Sequence, residues 1–295
     1  KLYTLSEKAG IFMQLLDCHT HTELSPDSSA KFIDMYQQAK NLNLYAWSVT
    51  NHIELCRYYS QEFYATQPRN EEDFFNYALR WENSMQENQF AKELISSENN
   101  MQFINGIELG EPNADFGLAK SLYQDKRLDF VIASLHELPD KLDFYFLDYA
   151  QENISDLLEN YFNILLEITK HDCYDVLGHI TYPLRYIAGK FHIKINMQVY
   201  QDYIAEIFKS VINNQKGIEL NTSGYRQSYG KPFPDENLLK FYKALGGKIL
   251  TLGSDAHSPE DLGKGVQTGI ALANACGFDK VCYYLRHEAH FININ

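Results

Sequence analysis

The stretch Leu15-Leu16-Asp17-Cys18-His19-Thr20-His21 places two histidines directly after a pair of apolar residues. In an extended chain, residues two apart point to the same side, so His19 and His21 can bind one metal ion from the end of a strand. Asp27, six residues further on, adds a hard oxygen ligand. An isolated His-x-His pair is equally compatible with an ordinary surface strand, so the rest of the chain has to decide between the two interpretations.

The same arrangement recurs along the chain, because potential metal ligands stand where other apolar runs end. The predicted strands are 15–21, 45–50, 101–107, 129–135, 175–178, 217–220 and 248–253, and the potential ligands at their ends are His19, His21, His52, Glu108, His136, His179, Asp255 and His257. Random placement of histidines would not follow strand ends in this way. The set as a whole therefore predicts a metal centre, although a lone strand-end histidine would more often be structural.

Amphipathic helical patterns separate these runs. Apolar spacing predicts helices over 32–42, 71–98, 115–123, 154–170, 199–213, 237–245 and 262–275, with a further strand within 281–294. Strands that alternate with helices at this spacing favour a parallel sheet with right-handed crossovers. If that sheet closes into an α/β barrel, all the C-terminal strand ends meet on one face, where such barrels carry their active sites.

Composition limits the function. The 295-residue chain carries a net charge of −13, which argues against a large nucleic-acid surface. Its five cysteines lack CxxC spacing and indicate reduced thiols in a cytoplasm. We find no apolar run long enough for a membrane span and no secretory signal. We expect residues 1–12 to be an expression remnant that precedes Met13, and 13–295 to form a single barrel domain with an insertion at about 54–100.

The number of ligands predicts more than one metal ion. Six imidazoles and several carboxylates exceed the four ligands of a tetrahedral zinc, so we expect two or three divalent ions. Glu108 is the candidate bridge, because it is the only acid that ends a middle strand, and carboxylates that bridge two ions help to activate a shared water. Zinc, manganese and iron all suit this mixture of ligands. Asp17 could orient a ligand histidine or bind the backbone, and the sequence favours neither role.

These motifs resemble, in order and spacing, those of the PHP (polymerase and histidinol phosphatase) family. The matching stretches are His19-Thr-His21 with Ser25 and Asp27, Thr50-Asn51-His52, Gly106-Ile107-Glu108, Ser134-Leu135-His136, Gly178-His179 and Ser254-Asp255-Ala256-His257. Chain length and the insertion after His52 resemble the monofunctional histidinol-phosphate phosphatases. The resemblance implies a distorted seven-stranded (β/α)7 TIM-like barrel with a trinuclear metal site at the C-terminal ends of the strands.

The resemblance also implies how the ligands divide. One ion would be held by His19, His21, Glu108 and Asp255, a second by Glu108, His136 and His179, and a third by Asp27, His52 and His257. The implied activity is hydrolysis of a small phosphomonoester, L-histidinol phosphate first of all, in histidine biosynthesis. Glu108, Asp255 and His257 are the candidate catalytic residues, and either Asp255 or His257 would protonate the departing alkoxide.

A phosphatase also needs cations for the phosphoryl oxygens. Arg185 follows His179 and Arg226 follows Asn221, so both arginines lie in loops on the predicted ligand face. The resemblance supports both as phosphate ligands. Three weaker candidates, Ser223, Tyr225 and Lys231, share the second loop.

Other interpretations remain open at this point. Related phosphoesterase activities, on phosphotyrosine or small nucleotides, would use the same site, and metal-dependent amidohydrolase barrels also begin with His-x-His. A non-catalytic metal-binding barrel is a further alternative. The aromatic segments 57–64 and 144–149 could cover the site or pack on the barrel, whereas packing is favoured for 74–81. Glu54 could bind the amine of a substrate. The sequence leaves the oligomeric state undetermined.

Overall fold

The computed structural model describes residues 14–55, 77–96 and 101–295. Its main sheet follows the strand order β1-β2-β4-β5-β6-β7-β8, with every pairing parallel and with β3 paired to β4. The strands are β1 (Leu16–Asp17), β2 (Ala46–Val49), β3 (His52–Glu54), β4 (Gln102–Gly110), β5 (Phe130–Ser134), β6 (Val176–Leu177), β7 (Gly217–Asn221) and β8 (Leu250–Gly253). The predicted parallel α/β architecture is confirmed.

Hydrogen bonds between the first and last strands of this sheet nearly close it into a barrel. Cys18 N donates to Leu252 O at 2.8 Å, and Asp255 N donates to His19 O at 2.8 Å. A parallel bridge joins Thr20 to Ala256 further along. Because the strands run parallel, all their C-terminal ends lie at the same end of the barrel.

Among the differences between predicted and observed strand boundaries, two bear on the site. The run 45–50 was expected to end before His52, but the chain resumes extended pairing at His52–Glu54, so β2 and β3 pair with successive parts of β4. The expected end of β4 at Glu108 is also too early, since this strand continues to Gly110. His52 and Glu108 are register partners as a result, which places both side chains at the same level of the barrel.

Helices cover the outside of the barrel at the predicted places, with shifts of a few residues. They are α1 (Phe32–Asn41), α2 (Tyr77–Ser96), α3 (Phe116–Tyr123), α4 (Ile154–Ile168), α5 (Gln201–Asn213), α6 (Glu236–Ala244) and α7 (Val266–Ala275). α4 illustrates why the sequence forms a helix at such a place. The side chain of Asn153 caps its first N–H groups, and Leu158, Phe162 and Leu165 lie buried on one face.

The C-terminal tail contains two strands, where the sequence predicted one. β9 (Lys280–Leu285) and β10 (Glu288–Asn293) form an antiparallel hairpin in its own sheet. The hairpin lies across the N-terminal ends of the barrel strands, because its turn residue His287 donates its N–H to Asp129 O at 2.9 Å. Arg286 and His287 both adopt positive φ angles, as a tight two-residue hairpin turn requires.

Some predictions fall outside the described residues. They concern the proposed remnant at 1–12, the aromatic segment 57–64, and the part of 74–81 that precedes Tyr77. Trp81 is described, is buried in the main core and stacks with Arg127, so it packs as predicted. In the described part of the chain, no helix has the length and apolar character needed to cross a membrane.

Candidate metal centre and active site

The C-terminal end of the barrel holds a cavity of about 760 Å³. Most of the predicted site residues line it, namely Asp27, His52, Glu108, His136, His179, Arg185, Asp255 and His257. His19 and His21 are fully buried beneath it. The nine predicted metal ligands therefore come together at one end of the fold, although they come from six of its strands and the loops that follow them.

Glu108 occupies the centre of this cluster. Its Oε2 lies 3.1 Å from His19 Nε2 and 3.0 Å from His52 Nδ1, while its Oε1 lies 2.8 Å from His179 Nε2. His136 Nε2 is 3.2 Å from Oε1 as well. One buried carboxylate thus faces imidazoles on both of its oxygens, which is the arrangement that a bridging ligand requires.

Three histidines have one ring nitrogen fixed by the protein. His19 Nδ1 lies 2.7 Å from Glu219 Oε1, and His257 Nδ1 lies 3.0 Å from the main-chain carbonyl of Asp255. Both partners are pure acceptors, so in each ring Nδ1 carries the proton. His21 Nδ1 lies 3.0 Å from the hydroxyl of Ser25, which donates its own proton to Asn51 Oδ1 and so accepts from the ring. In the neutral form of all three rings, Nε2 is then the nitrogen with a lone pair for a metal ion.

Several buried ligand atoms at this site lack a hydrogen-bond partner among the described residues. They are the Nε2 atoms of His19, His21 and His257, Nδ1 of His52 and Oε2 of Glu108. Buried polar atoms are normally paired, so a cluster of orphaned atoms that converge on one another calls for an explanation. Divalent cations fit this donor set, because mixed imidazole and carboxylate ligands suit zinc, manganese and iron.

Among the described residues, the ligand atoms fall into four groups that could each hold one metal ion. The groups are His19/His21/Asp255, Glu108/His136/His179, His21/His52/His257 and His52/Glu54/His136, each with its ligand atoms within 4.8 Å of one another. The second group matches one set that the family resemblance implied, and the first contains three of the four ligands of another. Glu54 appears here as a potential ligand, a role that the sequence did not predict.

Asp27 and Asp255 approach the cluster from loops. Asp27, whose side chain is 56% exposed, reaches His257 Nε2 at 3.1 Å and His52 Nε2 at 3.6 Å. Asp255 has a φ of 55°, which is unusual for a residue other than glycine. This backbone conformation directs Oδ1 towards His21 Nε2 at 3.4 Å. Such strain at a cluster of polar groups is typical of functional sites.

Electrostatics divides the histidines into two kinds. Burial, reinforced by the charges of His257 and His52, lowers the pKa of His21 to about 3. Burial also lowers the pKa of His179. Both rings are therefore neutral at pH 7, which is the form that binds metal ions.

The second kind of histidine is held protonated by Glu108 and the neighbouring carboxylates when no metal is bound. Burial acts to lower the pKa of His19, His52 and His136, but the nearby carboxylates outweigh it and raise each pKa well above its usual value. Burial acts to raise the pKa of Glu108, yet these imidazoles hold it well below its usual range. Positive charge is thus required around Glu108, whether protons or metal ions provide it.

The two predicted arginines lie at different depths. The Arg185 guanidinium lines the cavity, donates to Asp255 Oδ2 at 3.0 Å and to Ser223 Oγ at 2.8 Å, and lies over the ring of Tyr182. Arg226 is not among the described residues that line the cavity. It donates to the main-chain carbonyl of Asp255 at 3.4 Å and faces Asp261, so it supports the loop behind the site.

The remaining candidate residues take different positions in the structure. Asp17 accepts from the N–H groups of Ser254 and Gly263 at 2.9 and 2.8 Å, so it binds the backbone rather than a histidine ring. Ser223 contacts Arg185, as noted above. Lys231 pairs with Asp235 at 3.5 Å and is exposed, and neither it nor Tyr225 is among the described residues lining the cavity.

Aromatic residues of the loop after β5 divide between the core and the cavity. Phe144 and Tyr149 are buried in the main core, which is the packing role that the sequence left open. Tyr145 is 54% exposed and lines the cavity, together with Phe146. Both alternatives therefore apply, to different residues of the same run.

Sequence reasoning missed several carboxylates at the site, two of which contact predicted metal ligands. Glu111 lines the cavity, and its Oε1 accepts the N–H of His136 at 2.7 Å. Glu219 lies inside β7 and contacts His19. The available signal was an acidic residue between Ile218 and Leu220 in an otherwise apolar strand. A charge at that position has to be paired if it faces the barrel interior.

A (β/α) barrel with a histidine-rich cluster at its C-terminal end is the architecture of a known class of metal-binding proteins. The PHP domain model matches residues 17–223, and the chain belongs to this family. Two curated relatives cover most of the chain. A probable histidinol-phosphatase of Clostridium acetobutylicum is 28% identical over 278 residues, which are 92% of this chain and 98% of the relative. Another, of Thermotoga maritima, is 26% identical over 253 residues, 86% of this chain and 88% of the relative.

A solved structure has the same fold. The crystal structure of histidinol phosphate phosphatase from Lactococcus lactis, complexed with zinc, L-histidinol and phosphate, superposes with a TM-score of 0.73. The match covers 94% of this chain and 99% of that one, at 22% sequence identity. The predicted family and the predicted TIM-like barrel are both confirmed.

Proposed function

We propose that the protein is a metal-dependent histidinol-phosphatase, which hydrolyses L-histidinol phosphate to L-histidinol and phosphate in histidine biosynthesis. The observation that carries this proposal is the position of Glu108 among the imidazoles of His19, His52, His136 and His179, beside a cavity that Arg185 also lines. The names of the two relatives and of the solved neighbour support the choice of substrate.

The metal ligands of the proposal are the nine residues predicted from the sequence. They are His19, His21, Asp27, His52, Glu108, His136, His179, Asp255 and His257, and we expect them to hold two or three ions of zinc, manganese or iron. Bound there, such ions would neutralise phosphoryl oxygens and supply an activated water. Glu54 is a potential additional ligand, because its Oε1 lies 3.0 Å from His52 Nδ1 and 3.3 Å from His136 Nδ1.

Arg185 is the protein's own phosphate ligand in this proposal. Its guanidinium is held between Asp255 and Ser223 and over the Tyr182 ring, so its orientation is set before substrate arrives. A guanidinium fixed in this way can donate two hydrogen bonds to phosphoryl oxygens as negative charge develops on them. Arg226 would act through the Asp255 loop, and its predicted direct contact with phosphate stays a prediction.

The leaving alkoxide needs a proton, and Asp255 and His257 are the two donors predicted from the sequence. Both line the cavity, but each is also a proposed metal ligand, so the choice of proton donor stays a prediction. Glu54 also lines the cavity. Histidinol carries an amine, and the Glu54 carboxylate is the group that we expect to bind it, because opposite charges would then meet.

Phosphate release by the metal-loaded protein tests the proposal. The substrates are L-histidinol phosphate, a phosphotyrosine peptide, mononucleotides and a phosphodiester, each with zinc-, manganese- and iron-loaded protein. We expect kcat/KM for L-histidinol phosphate of at least about 10⁴ M⁻¹s⁻¹, within the usual range for enzymes, and far above the other esters. Faster turnover of another ester would move the function to that substrate. An absence of phosphate release, with metals bound, would favour an amidohydrolase or a non-catalytic role.

A further inference from the structure

We propose that Glu219 is a positioning residue that fixes the tautomer and the orientation of His19, so that His19 Nε2 faces the metal centre. The inference rests on the metal centre proposed above and assigns a residue that the ligand set does not include. Glu219 lies in the middle of β7 and is 1% exposed. A carboxylate is costly to bury unless both of its oxygens are paired, so its contacts should reveal its role.

The first oxygen of Glu219 is paired with the His19 ring. Oε1 lies 2.7 Å from His19 Nδ1, and both side chains are almost completely buried. A carboxylate oxygen can only accept, so the proton of the neutral ring resides on Nδ1. The opposite nitrogen, Nε2, faces Glu108 Oε2, 3.1 Å away, and is the nitrogen that a metal ion can bind once it displaces the Nε2 proton.

The second oxygen of Glu219 is occupied by the neighbouring strands. Oε2 accepts the main-chain N–H of His179 at 2.9 Å and the side-chain amide of Asn221 at 3.2 Å. One carboxylate therefore connects the end of β1, which carries His19, with the end of β6, which carries His179. These two histidines belong to different candidate metal groups, so Glu219 sets their separation as well as the His19 tautomer.

Gly253 in β8 provides the space for this contact. A Cβ atom at this position would lie 2.3 Å from Glu219 Oε1 and 2.3 Å from His19 Cβ, closer than real atoms approach. Any side chain here would force apart the two residues that the hydrogen bond joins. Glycine in a strand interior often marks a place where another group must approach closely, and here the approaching groups are Glu219 and His19.

A buried carboxylate and histidine pair can also be purely structural, and the protein contains a matched example. At the other end of the barrel, Asp175 Oδ2 lies 2.9 Å from His287 Nδ1 and accepts the N–H of Val131 at 2.8 Å. This pair has the same chemistry as the Glu219 pair, yet it lies far from every candidate metal group of the described residues. It is therefore the control for a role in positioning a ligand.

The test compares E219Q with D175N and the wild-type protein. An amide cannot accept at both ends: it would either donate to His19 Nδ1, which would move the ring proton to Nε2, or turn its NH₂ towards the N–H of His179. We expect zinc affinity, measured by competition with a chromogenic chelator, to fall by about 10–100-fold in E219Q. In D175N it should stay within about twofold of wild type, while both variants lose thermal stability in the metal-free form.

Equal zinc affinity in folded E219Q and wild type would overturn the inference and leave the proposed metal centre intact. Equal losses of affinity in E219Q and D175N would also overturn it, because the effect would then follow from stability alone. A wild-type protein that binds no zinc would instead overturn the metal centre and the inference together.

Nuclear magnetic resonance of the wild-type protein provides a test that needs no variant. In the zinc-loaded protein, the ring nitrogens of His19 should show a protonated Nδ1 and a metal-bound Nε2. A His19 ring with an unprotonated Nδ1 would overturn the inference. G253A should weaken zinc binding as E219Q does, because the added methyl group displaces the carboxylate from His19.

Discussion

The two ends of the barrel use the same kinds of side chain for different purposes. At the N-terminal end, Asp129 and Asp175 are buried, and each of their oxygens has a donor in the described structure, including the main-chain N–H groups of Asn105, Val131 and Arg286. At the C-terminal end, Glu108 Oε2 is surrounded by imidazole nitrogens and lacks a hydrogen-bond partner among the described residues.

This difference separates structural from functional polar groups. The carboxylates at the N-terminal end receive hydrogen bonds from strand ends and from the hairpin turn, so they hold β9 and β10 against the barrel. The C-terminal groups are aimed at one another and at a cavity, an arrangement that is stable only if protons or cations lie between them. Burial alone would not have distinguished these carboxylates, because Glu108, Asp129 and Asp175 are all almost completely buried.

The largest expected effect comes from replacing the central carboxylate. Glu108→Gln should lower kcat for L-histidinol phosphate by about 10³-fold or more, because it removes the charge that faces the imidazoles on both sides of the site. Metal content, measured by mass spectrometry of the purified protein, should fall in the same variant. Full activity in E108Q would contradict the bridging role, and D175N serves as the control for the loss of a buried charge.

A smaller loss should follow from removing the cation that lines the cavity. Arg185→Met should lower kcat/KM by about 10²–10³-fold, because the phosphoryl oxygens lose their guanidinium donor. Metal content should stay unchanged, since Asp255 turns Oδ1 towards the histidines and only Oδ2 towards Arg185. Steady-state kinetics with matched metal analysis checks both statements, and loss of metal in R185M would assign the arginine to the metal centre instead.

The pH dependence of stability should differ between the metal-free and metal-loaded forms. The raised pKa values of His19, His52 and His136 stabilise the metal-free protein fully below about pH 6.5, the unfolded value. This contribution is lost as the pH rises through the folded values, by up to about 1.4 kcal/mol per pH unit for each group. Bound metal displaces these protons, so the stabilisation that it adds should grow with pH.

Urea unfolding at several pH values above 6.5, with and without added zinc, measures both slopes. His21 and His179 do not interfere in this range, because lowered pKa values leave them neutral in the folded state. A metal-free protein whose stability rises above pH 6.5 would contradict the assigned charge state of the cluster.

The smallest expected effect lies at the N-terminal end. Asp175→Asn should reduce the free energy of unfolding by about 2 kcal/mol, because the carboxylate binds His287, Val131 and Tyr123 and an amide cannot accept from all three. Its kcat for L-histidinol phosphate should equal that of wild type below the unfolding transition. Thermal unfolding and steady-state kinetics measure the two quantities. A large loss of activity would contradict the purely structural role of the N-terminal end of the barrel.

The sequence predicted the barrel because its apolar runs and amphipathic helices alternate with a regular spacing. It also predicted which candidate metal ligands come together, since histidine and acid residues at strand ends must meet when parallel strands close into a barrel. It was less accurate where a strand is interrupted: His52 belongs to β3, not to a loop after β2, and the hairpin at Lys280–Asn293 was taken for one strand. Local sequence patterns do not predict such pairings, because a pairing depends on which strand lies next to the segment in the fold.

What the sequence by itself determined is the fold class, the family and the set of candidate ligand residues, because each depends on periodicity or on motifs that are local in the chain. The tertiary structure decided the contacts across the chain. It placed Glu219 against His19, 200 residues away, gave Arg185 its contact with Asp255 and left Arg226 behind the loop. Those contacts arise from the register and closure of the barrel, and no short stretch of sequence carries that information.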